Sequence, residues 1–337
     1  MLRSGDNVAI DALWRTGLSA LATPVDTLLQ MKERTLFREL AEVEPPAVFI
    51  VGAPRSGTTL VYQVLAHVLH TSYFTNMTAM FPRSPITATR LFQSLGSKSR
   101  TPFQNFYGNT AGLQAPNDGF GVWNRWLGND RYVARKSVAE QDIESMREFF
   151  KAWYAVFNLP FLNKNNRNLD CLSLLAESFP EARFIVVRRN PILVVESLLK
   201  SRTIVQGDAT HAWGLMSETA PESSTPLEIL EMVCDQVVRI EQRLQDQLCK
   251  IDEDRWHSMW YEDFCRNPAD TARHIADNWF GARTLNTLAL DELPELHANS
   301  TVTLDDPELD ACRKRLLEGY ATLPGSLHIQ QRIEEVE

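Results

Sequence analysis

The chain has 337 residues, is 44% hydrophobic and carries a net charge of −9, so it holds enough apolar side chain for one large domain or two ordinary ones. The excess acid gathers in residues 287–337, and this balance argues against a surface for the nucleic-acid backbone. Five cysteines without a C-x-x-C pair or a metal-ligand spacing to His argue against a disulfide framework and a bound metal. Asp6 and Asp11 stand where a leader peptide would be apolar, and no run reaches membrane-spanning length, so a cytoplasmic protein without a transmembrane segment is expected.

Residues 8–45 predict one or two helices, with Leu13, Leu18, Leu21, Val25, Leu28 and Leu29 at three- and four-residue steps and Pro24 as a break. A membrane-surface or dimer helix is one reading. A helical arm packed on the core is the simpler one, because Lys and Arg are not gathered on a polar face.

Ala47 to Val51 reads as a strand, Gly52 to Gly57 as a turn, and the chain from Ser56 as a helix with Leu60, Val64 and Val68 on one face. In such a strand–loop–helix, backbone N–H groups converge on the positive end of the helix and hold an anion. The anion is expected on Gly57, Thr58 and Thr59. Gly52 and Gly57 have the spacing of the ATP/GTP pattern G-x-x-x-x-G-K-[ST], but Thr58 stands where its Lys belongs and the cation is Arg55. That loop is poorly equipped for γ-phosphate and Mg²⁺ chemistry, which argues against a kinase.

Tyr73 to Gly128 loses periodicity and is rich in Phe, Thr, Asn, Pro and Gly, as expected of an acceptor region over the carboxyl ends of strands. Within it Asp118 either caps a helix starting near Gly119 or supplies an acid to the chemistry. Residues 139–157 form an amphipathic helix whose stripe Met146, Phe149, Phe150, Trp153 and Phe157 belongs in the core. Leu159 to Asn163 is a short strand ending in Lys164, which either reaches a transferring anion or is a solvated surface lysine.

Arg183–Arg188 is a further strand, Thr203 to Ser224 a possible lid with His211 as a possible base or substrate contact, and Leu227–Cys249 a long helix. Arg255–Phe264 reads as a strand, Pro268 to Trp279 as a helix, and Glu308 to Tyr320 as a last helix capped by Asp305-Asp306-Pro307. The expected fold is α/β, a P-loop-type central parallel sheet flanked by helices. It forms one domain over 1–337: a helical arm (1–46), a nucleotide and acceptor core (47–285) and an acidic helical segment (286–337).

The motif P-R-S-G-T-T at Pro54–Thr59 resembles the phosphosulfate loop of the sulfotransferases that use 3′-phosphoadenosine 5′-phosphosulfate (PAPS), in the branch with bacterial and protein-tyrosine enzymes. FLNKNNRN, then F-P-E-A-R-F-I, then R-N-P with Ser197 six residues after Pro191, resembles the same family in order and spacing, as does W-Y-E-D-F at Trp260–Phe264 followed by Asn267-Pro268. The resemblance covers about Ala47–Gly281. It implies that Arg55, Ser56, Gly57, Thr58 and Thr59 hold the 5′-phosphosulfate and that Arg189 and Ser197 bind the 3′-phosphate, with Arg188 as a competitor for Arg189. It also implies that Tyr261 approaches the nucleotide and that Lys164 stabilises the bridging oxygen, without a metal.

The base departs from the family's patterns. Asn165 and Asn166 replace a K-x-H arrangement after Lys164, and Thr71 to Met80 holds no acid, which leaves Asp118 by position and elimination. His297–Ser300 lies where the family often closes over adenine, without a matching motif. The acceptor region suits a hydroxylated saccharide, glycolipid or secondary metabolite. A phosphate-loop small-molecule kinase and a non-catalytic nucleotide-binding protein are the alternatives.

Overall fold

A computed structural model describes residues 7–38, 43–92, 103–130, 132–133, 135 and 137–335. Its strands are β1 (Ala47–Gly52), β2 (Asn105–Phe106), β3 (Asn109–Thr110), β4 (Phe161–Lys164), β5 (Ala182–Arg188) and β6 (Trp256–Trp260). Its helices run from α1 (Asn7–Glu33), α2 (Thr58–Val68), α3 (Asn76–Ala79), α4 (Pro85–Phe92), α5 (Phe120–Leu127), α6 (Glu140–Phe157) and α7 (Leu172–Ser178) to α8 (Pro191–Ser201) and α9 (Pro226–Leu248). They continue with α10 (Tyr261–Arg266), α11 (Pro268–Ile275), α12 (Thr287–Asp291), α13 (Asp306–Ala321) and α14 (Leu327–Glu334).

β1 is buried at every position because helices cover both faces of the parallel sheet β4-β1-β5-β6 in which it is an inner strand. Alternation sorts its residues. Phe49 and Val51 face a core with Trp123, Phe150, Trp153 and Phe184, while Val48 and Ile50 face one with Leu60, Val64 and Ile275. The Phe49 ring lies 5.9 Å from both Trp123 and Phe184, and the α6 stripe of Met146, Phe149, Phe150 and Trp153 is buried around it. A third core joins α8 and α9 to α13 and α14 through Leu198, Val233, Leu316 and Ile333.

Several elements differ from the reading of the sequence. Pro24 does not break the arm: α1 continues through it, held to the body by Arg15 before it and by Asp26 and Glu33 after it. The segment 73–128 holds α3, α4, α5 and the β2–β3 hairpin, elements too short to print a repeating stripe. β6 stops at Trp260, opposite the last residue of β5, so Tyr261 has no ladder to continue and begins α10 instead. Beyond α13 the chain turns and adds α14, whose Ile329 and Ile333 are buried.

The register positions the site. Ile50 pairs with Lys164, Gly52 with Val187 and Arg188 with Trp260, so Lys164, the loop after Gly52, Arg189 and Tyr261 all lie at the carboxyl edge of the sheet. In open parallel sheets ligands bind at that edge where connections leave a strand in opposite directions, as they do around β1. Among the described residues no helix is long and apolar enough to cross a membrane.

Candidate active site

The loop between β1 and α2 is shaped by close approach. Gly57 has φ +88°, and a Cβ there would lie 2.1 Å from the Tyr261 ring, so only glycine fits. Gly57 offers α2 no side-chain cap, which leaves the first N–H groups of that helix free to bind an anion. Thr58 Oγ1 donates to Asn166 Oδ1 at 3.2 Å and ties the loop to the chain after β4.

Arg55 sits at φ 73°, a region costly for a side chain with a Cβ. It is held there by its Nε, which donates to Ser197 Oγ at 2.9 Å, and by the Tyr107 ring, whose centroid is 4.6 Å from the guanidinium. Ser56 is turned away. Its N–H donates to Ala53 O at 3.1 Å and its Oγ is buried without a partner.

Arg189 leaves the end of β5 and reaches across the loop. Its Nη1 donates to Arg55 O at 3.0 Å, its Nη2 to Asn299 O at 2.6 Å, and its guanidinium lies 5.5 Å from the Tyr261 ring centroid. Its Nε is buried without a partner, a donor left over inside the protein. Burial lowers the pKa of both Arg55 and Arg189, and Arg189 also lowers that of Arg55 by repulsion. Both stay cations at neutral pH because arginine starts so far above it. Arg188 does not line the cleft and is turned elsewhere, forming an ion pair with Glu241 at 2.8 Å and donating to Ser258. Burial also raises the Tyr261 hydroxyl well above the usual tyrosine range, so it stays neutral.

Lys164 and Asp118 meet at the cleft. Lys164 Nζ donates to both carboxylate oxygens of Asp118, at 2.9 Å and 3.0 Å. The lysine side chain is only 3% exposed, the carboxylate 34%. Lys164 is therefore no solvated surface lysine, and Asp118 is no helix cap: α5 starts at Phe120 with Gly119 in the cap position, no side chain caps it, and the Gly119 N–H is taken by Asn117 Oδ1 at 2.9 Å. Asn163 supports the pair from the strand, accepting from Trp123 Nε1 at 3.0 Å while its Nδ2 donates to Asp118 O at 3.4 Å.

These groups line one cleft of about 620 Å³ that also takes in Tyr107, Trp213 and Asn299. Its charged lining is five cations, Arg55, Lys164, Arg167, Arg189 and Lys200, against two acids, Asp118 and Glu196. Both acids are paired, Asp118 with Lys164 and Glu196 with Lys200. In a chain of net charge −9 this concentration of cations marks an anion site. His211 is exposed and does not line the cleft. Among the described residues no group of three or more His, Cys, Asp or Glu side chains is placed to hold a metal ion.

Some lining residues were not singled out from the sequence. Tyr107, at the turn of the β2–β3 hairpin, covers Arg55 and touches Trp213 edge-on at 6.1 Å. Glu196 accepts from Thr303 N at 2.8 Å and pins the segment carrying His297, Asn299 and Thr301 over the cleft. No motif marks Tyr107 or Glu196; only the hairpin and the crossing of α8 by residues 297–304 bring them in.

The profile of the sulfotransferase family matches residues 46–281. The omega-hydroxy-beta-dihydromenaquinone-9 sulfotransferase Stf3 of Mycobacterium bovis is 23% identical over 272 residues, 74% of this chain and 68% of that one, and Stf3 of Mycobacterium tuberculosis gives the same figures. The crystal structure of sulfotransferase STF9 from Mycobacterium avium superposes with a TM-score of 0.55 at 16% identity, over 84% of this chain and 78% of that one, and so shares the fold. With a family match that spans the loop, the Lys164 strand, Arg189 and the Tyr261 helix, the chain belongs to the sulfotransferase family.

Proposed function

We propose that this sulfotransferase takes the sulfuryl group from PAPS and delivers it to a hydroxyl of a small or lipid-like acceptor, releasing adenosine 3′,5′-bisphosphate. The observation that carries this reading is the pairing of Lys164 with Asp118 beside the free N-terminus of α2, which sets a cation, a carboxylate and an anion cradle in one cleft. The residues suit a donor with two anionic ends. Gly57 lets the loop close onto the Tyr261 ring with the first N–H groups of α2 uncapped, and the unpartnered Arg189 Nε is a donor in want of an acceptor.

In this reading the α2 N–H groups of Thr58 and Thr59, with Arg55, hold the 5′-phosphosulfate, while Arg189 and Ser197 bind the 3′-phosphate that distinguishes PAPS from ATP. Tyr261 packs beneath Gly57 and limits how deeply the nucleotide sits. Ser56 shapes the loop from below without touching the ligand. Bound PAPS supplies an electrophilic sulfur and a bisphosphate leaving group.

Lys164 turns from Asp118 toward the bridging oxygen and stabilises the charge that grows there as the S–O bond breaks. Asp118, released from Lys164, takes the proton of the acceptor hydroxyl as its oxygen bonds to sulfur. The acceptor class is a saccharide, glycolipid or secondary metabolite; the relative Stf3 is named for an omega-hydroxy-beta-dihydromenaquinone-9.

The test is release of adenosine 3′,5′-bisphosphate from PAPS over a panel of sugars, glycolipids, phenols and hydroxylated quinols. Asp118→Asn is expected to lower turnover about 10²–10⁴-fold, the usual worth of a general base, with bisphosphate affinity within a few-fold of wild type. Full turnover in Asp118→Asn would remove the carboxylate from the chemistry.

A further inference from the structure

The arm α1 is amphipathic the wrong way round for a helix packed only on its own body. Charged side chains of its middle and last turns face inward with Ser19: Arg15 Nη2 donates to Thr110 O at 2.8 Å, Ser19 Oγ to Met80 O at 3.4 Å, and Asp26 accepts from Ser84 Oγ at 2.6 Å and Arg83 N at 3.1 Å. Glu33 accepts from Ile86 N at 3.0 Å and Thr87 N at 2.7 Å, so it caps the free N-terminus of α4. Arg15, Asp26 and Glu33 are all buried by this. Its apolar side chains face outward: Trp14 is 71% exposed, Leu21 77%, Leu28 69% and Met31 71%, with Leu18 and Val25 between them. Ordinary surface helices do the reverse.

We propose that α1 is a dimerisation helix, its outward stripe paired with the same stripe of a second copy of this chain. Trp14, Leu18, Leu21, Val25 and Leu28 succeed one another at steps of four, three, four and three, the a/d spacing of a helix that lies along another helix. Charge selects a second copy as the occupant. Two chains of net charge −9 repel wherever charged faces meet, but from residue 12 to residue 31 the only charged side chains are Arg15 and Asp26, and both are buried against the body.

This uncharged stripe is self-complementary across a twofold axis. A lipid surface would call for Lys and Arg along the flanks of the stripe, which this stretch lacks. The hydroxyls nearest the stripe need no outside partner, since Thr16, Thr23 and Thr27 donate to Ala12 O, Ser19 O and Thr23 O of the same helix. From Trp14 to Met31 the stripe runs about 26 Å at 1.5 Å per residue. A helix pair of that length buries on the order of 1,000 Å² in total, where specific interfaces begin. Through Arg15 and Thr110 the seam adjoins the hairpin whose Tyr107 covers Arg55, so the pairing surface and the cleft share one element.

The test is mass in solution by light scattering at tens of micromolar, with thermal melting as the fold control. Wild type is expected at twice the 38.3 kDa chain mass. The double variant Leu21→Glu, Leu28→Glu is expected at the single-chain mass with an unchanged melting onset, and mixing it with Leu21→Lys, Leu28→Lys is expected to restore the doubled mass. Wild type at the single-chain mass would overturn the proposal, as would a glutamate variant that still pairs. Wild type that is single in solution and floats with phosphatidylethanolamine–phosphatidylglycerol vesicles would overturn it in favour of a lipid surface.

Discussion

Arg188 and Arg189 are neighbours with different fates, and the difference is measurable. Arg188 is committed to Glu241, in a pair whose side chains are 12% and 9% exposed. Removing the acid in Glu241→Ala leaves a mostly buried guanidinium without its partner, which is expected to cost about 3–5 kcal/mol in urea unfolding. Bisphosphate affinity should stay unchanged, because this pair lies off the cleft; a large loss of affinity without a loss of stability would reverse the roles of the two arginines.

At Gly57 the expectation is opposite. Gly57→Ala forces a Cβ into the Tyr261 ring and a disfavoured φ, so donor-site affinity should fall more than stability, and calorimetry beside a melt would separate the two. The loop glycines and Arg55 were legible as a motif because their spacing is local. The partner of Lys164 was not legible, since Asp118 lies 46 positions away and nothing local links a strand-end lysine to an aspartate in an aperiodic segment. The buried Ser56 Oγ was missed for a similar reason: a loop's spacing does not tell which of its side chains points inward.

Strands and long helices could be read because they repeat. β1 and β5 appear as continuous apolar runs since both their faces are covered, and α6 as a stripe of aromatics. Phe150 of that stripe is 2% exposed and packs 4.9 Å from Phe161, so Phe150→Ala is expected to cost about 3–5 kcal/mol in denaturant unfolding. A cost under 1 kcal/mol would place the stripe outside the cooperative core. Elements of two to eight residues, such as α3, α4 and the hairpin, carry too few turns to declare themselves.

The contact between β6 and α11 has a pH signature. His257 stacks on His274 with centroids 4.3 Å apart, and burial, together with the neighbouring imidazole, holds the His257 pKa below its ordinary 6.5. Between that lowered value and 6.5 the unfolded chain binds more protons than the folded one, so this contribution to stability is complete above about pH 6.5, falls as pH drops through that window, and is lost below the folded value. Urea midpoints at pH 7.5 and 5.5 should therefore differ less in His257→Gln than in wild type. An equal acid loss in both would remove His257 as the cause.

At the scale of the whole molecule, an acidic chain holds a cationic cleft at one sheet edge and an uncharged stripe on its arm. The family match covers residues 46–281 and stops short of α1 and of the C-terminal helices. Periodicity found Leu18, Leu21, Val25 and Leu28 of the α1 stripe but not Trp14 and Met31, and did not tell which way it faces; buried Asp26, bound just before α4, and Glu33, bound to its first turn, decide that. The cleft's excess of cations also has a bulk consequence: bisphosphate binding should weaken steadily as salt rises, with little change in melting temperature.

In the proposed function this cleft recognises a nucleotide by two separate anionic ends. Calorimetric titration with adenosine 3′,5′-bisphosphate, set beside 5′-AMP and ATP on wild type and Arg189→Ala, tests it most directly. Wild type is expected to prefer the bisphosphate, and Arg189→Ala to weaken it about 10- to 100-fold, the worth of charged hydrogen bonds, while leaving 5′-AMP little changed. ATP bound as well as or better than the bisphosphate, and indifferent to Arg189, would contradict it.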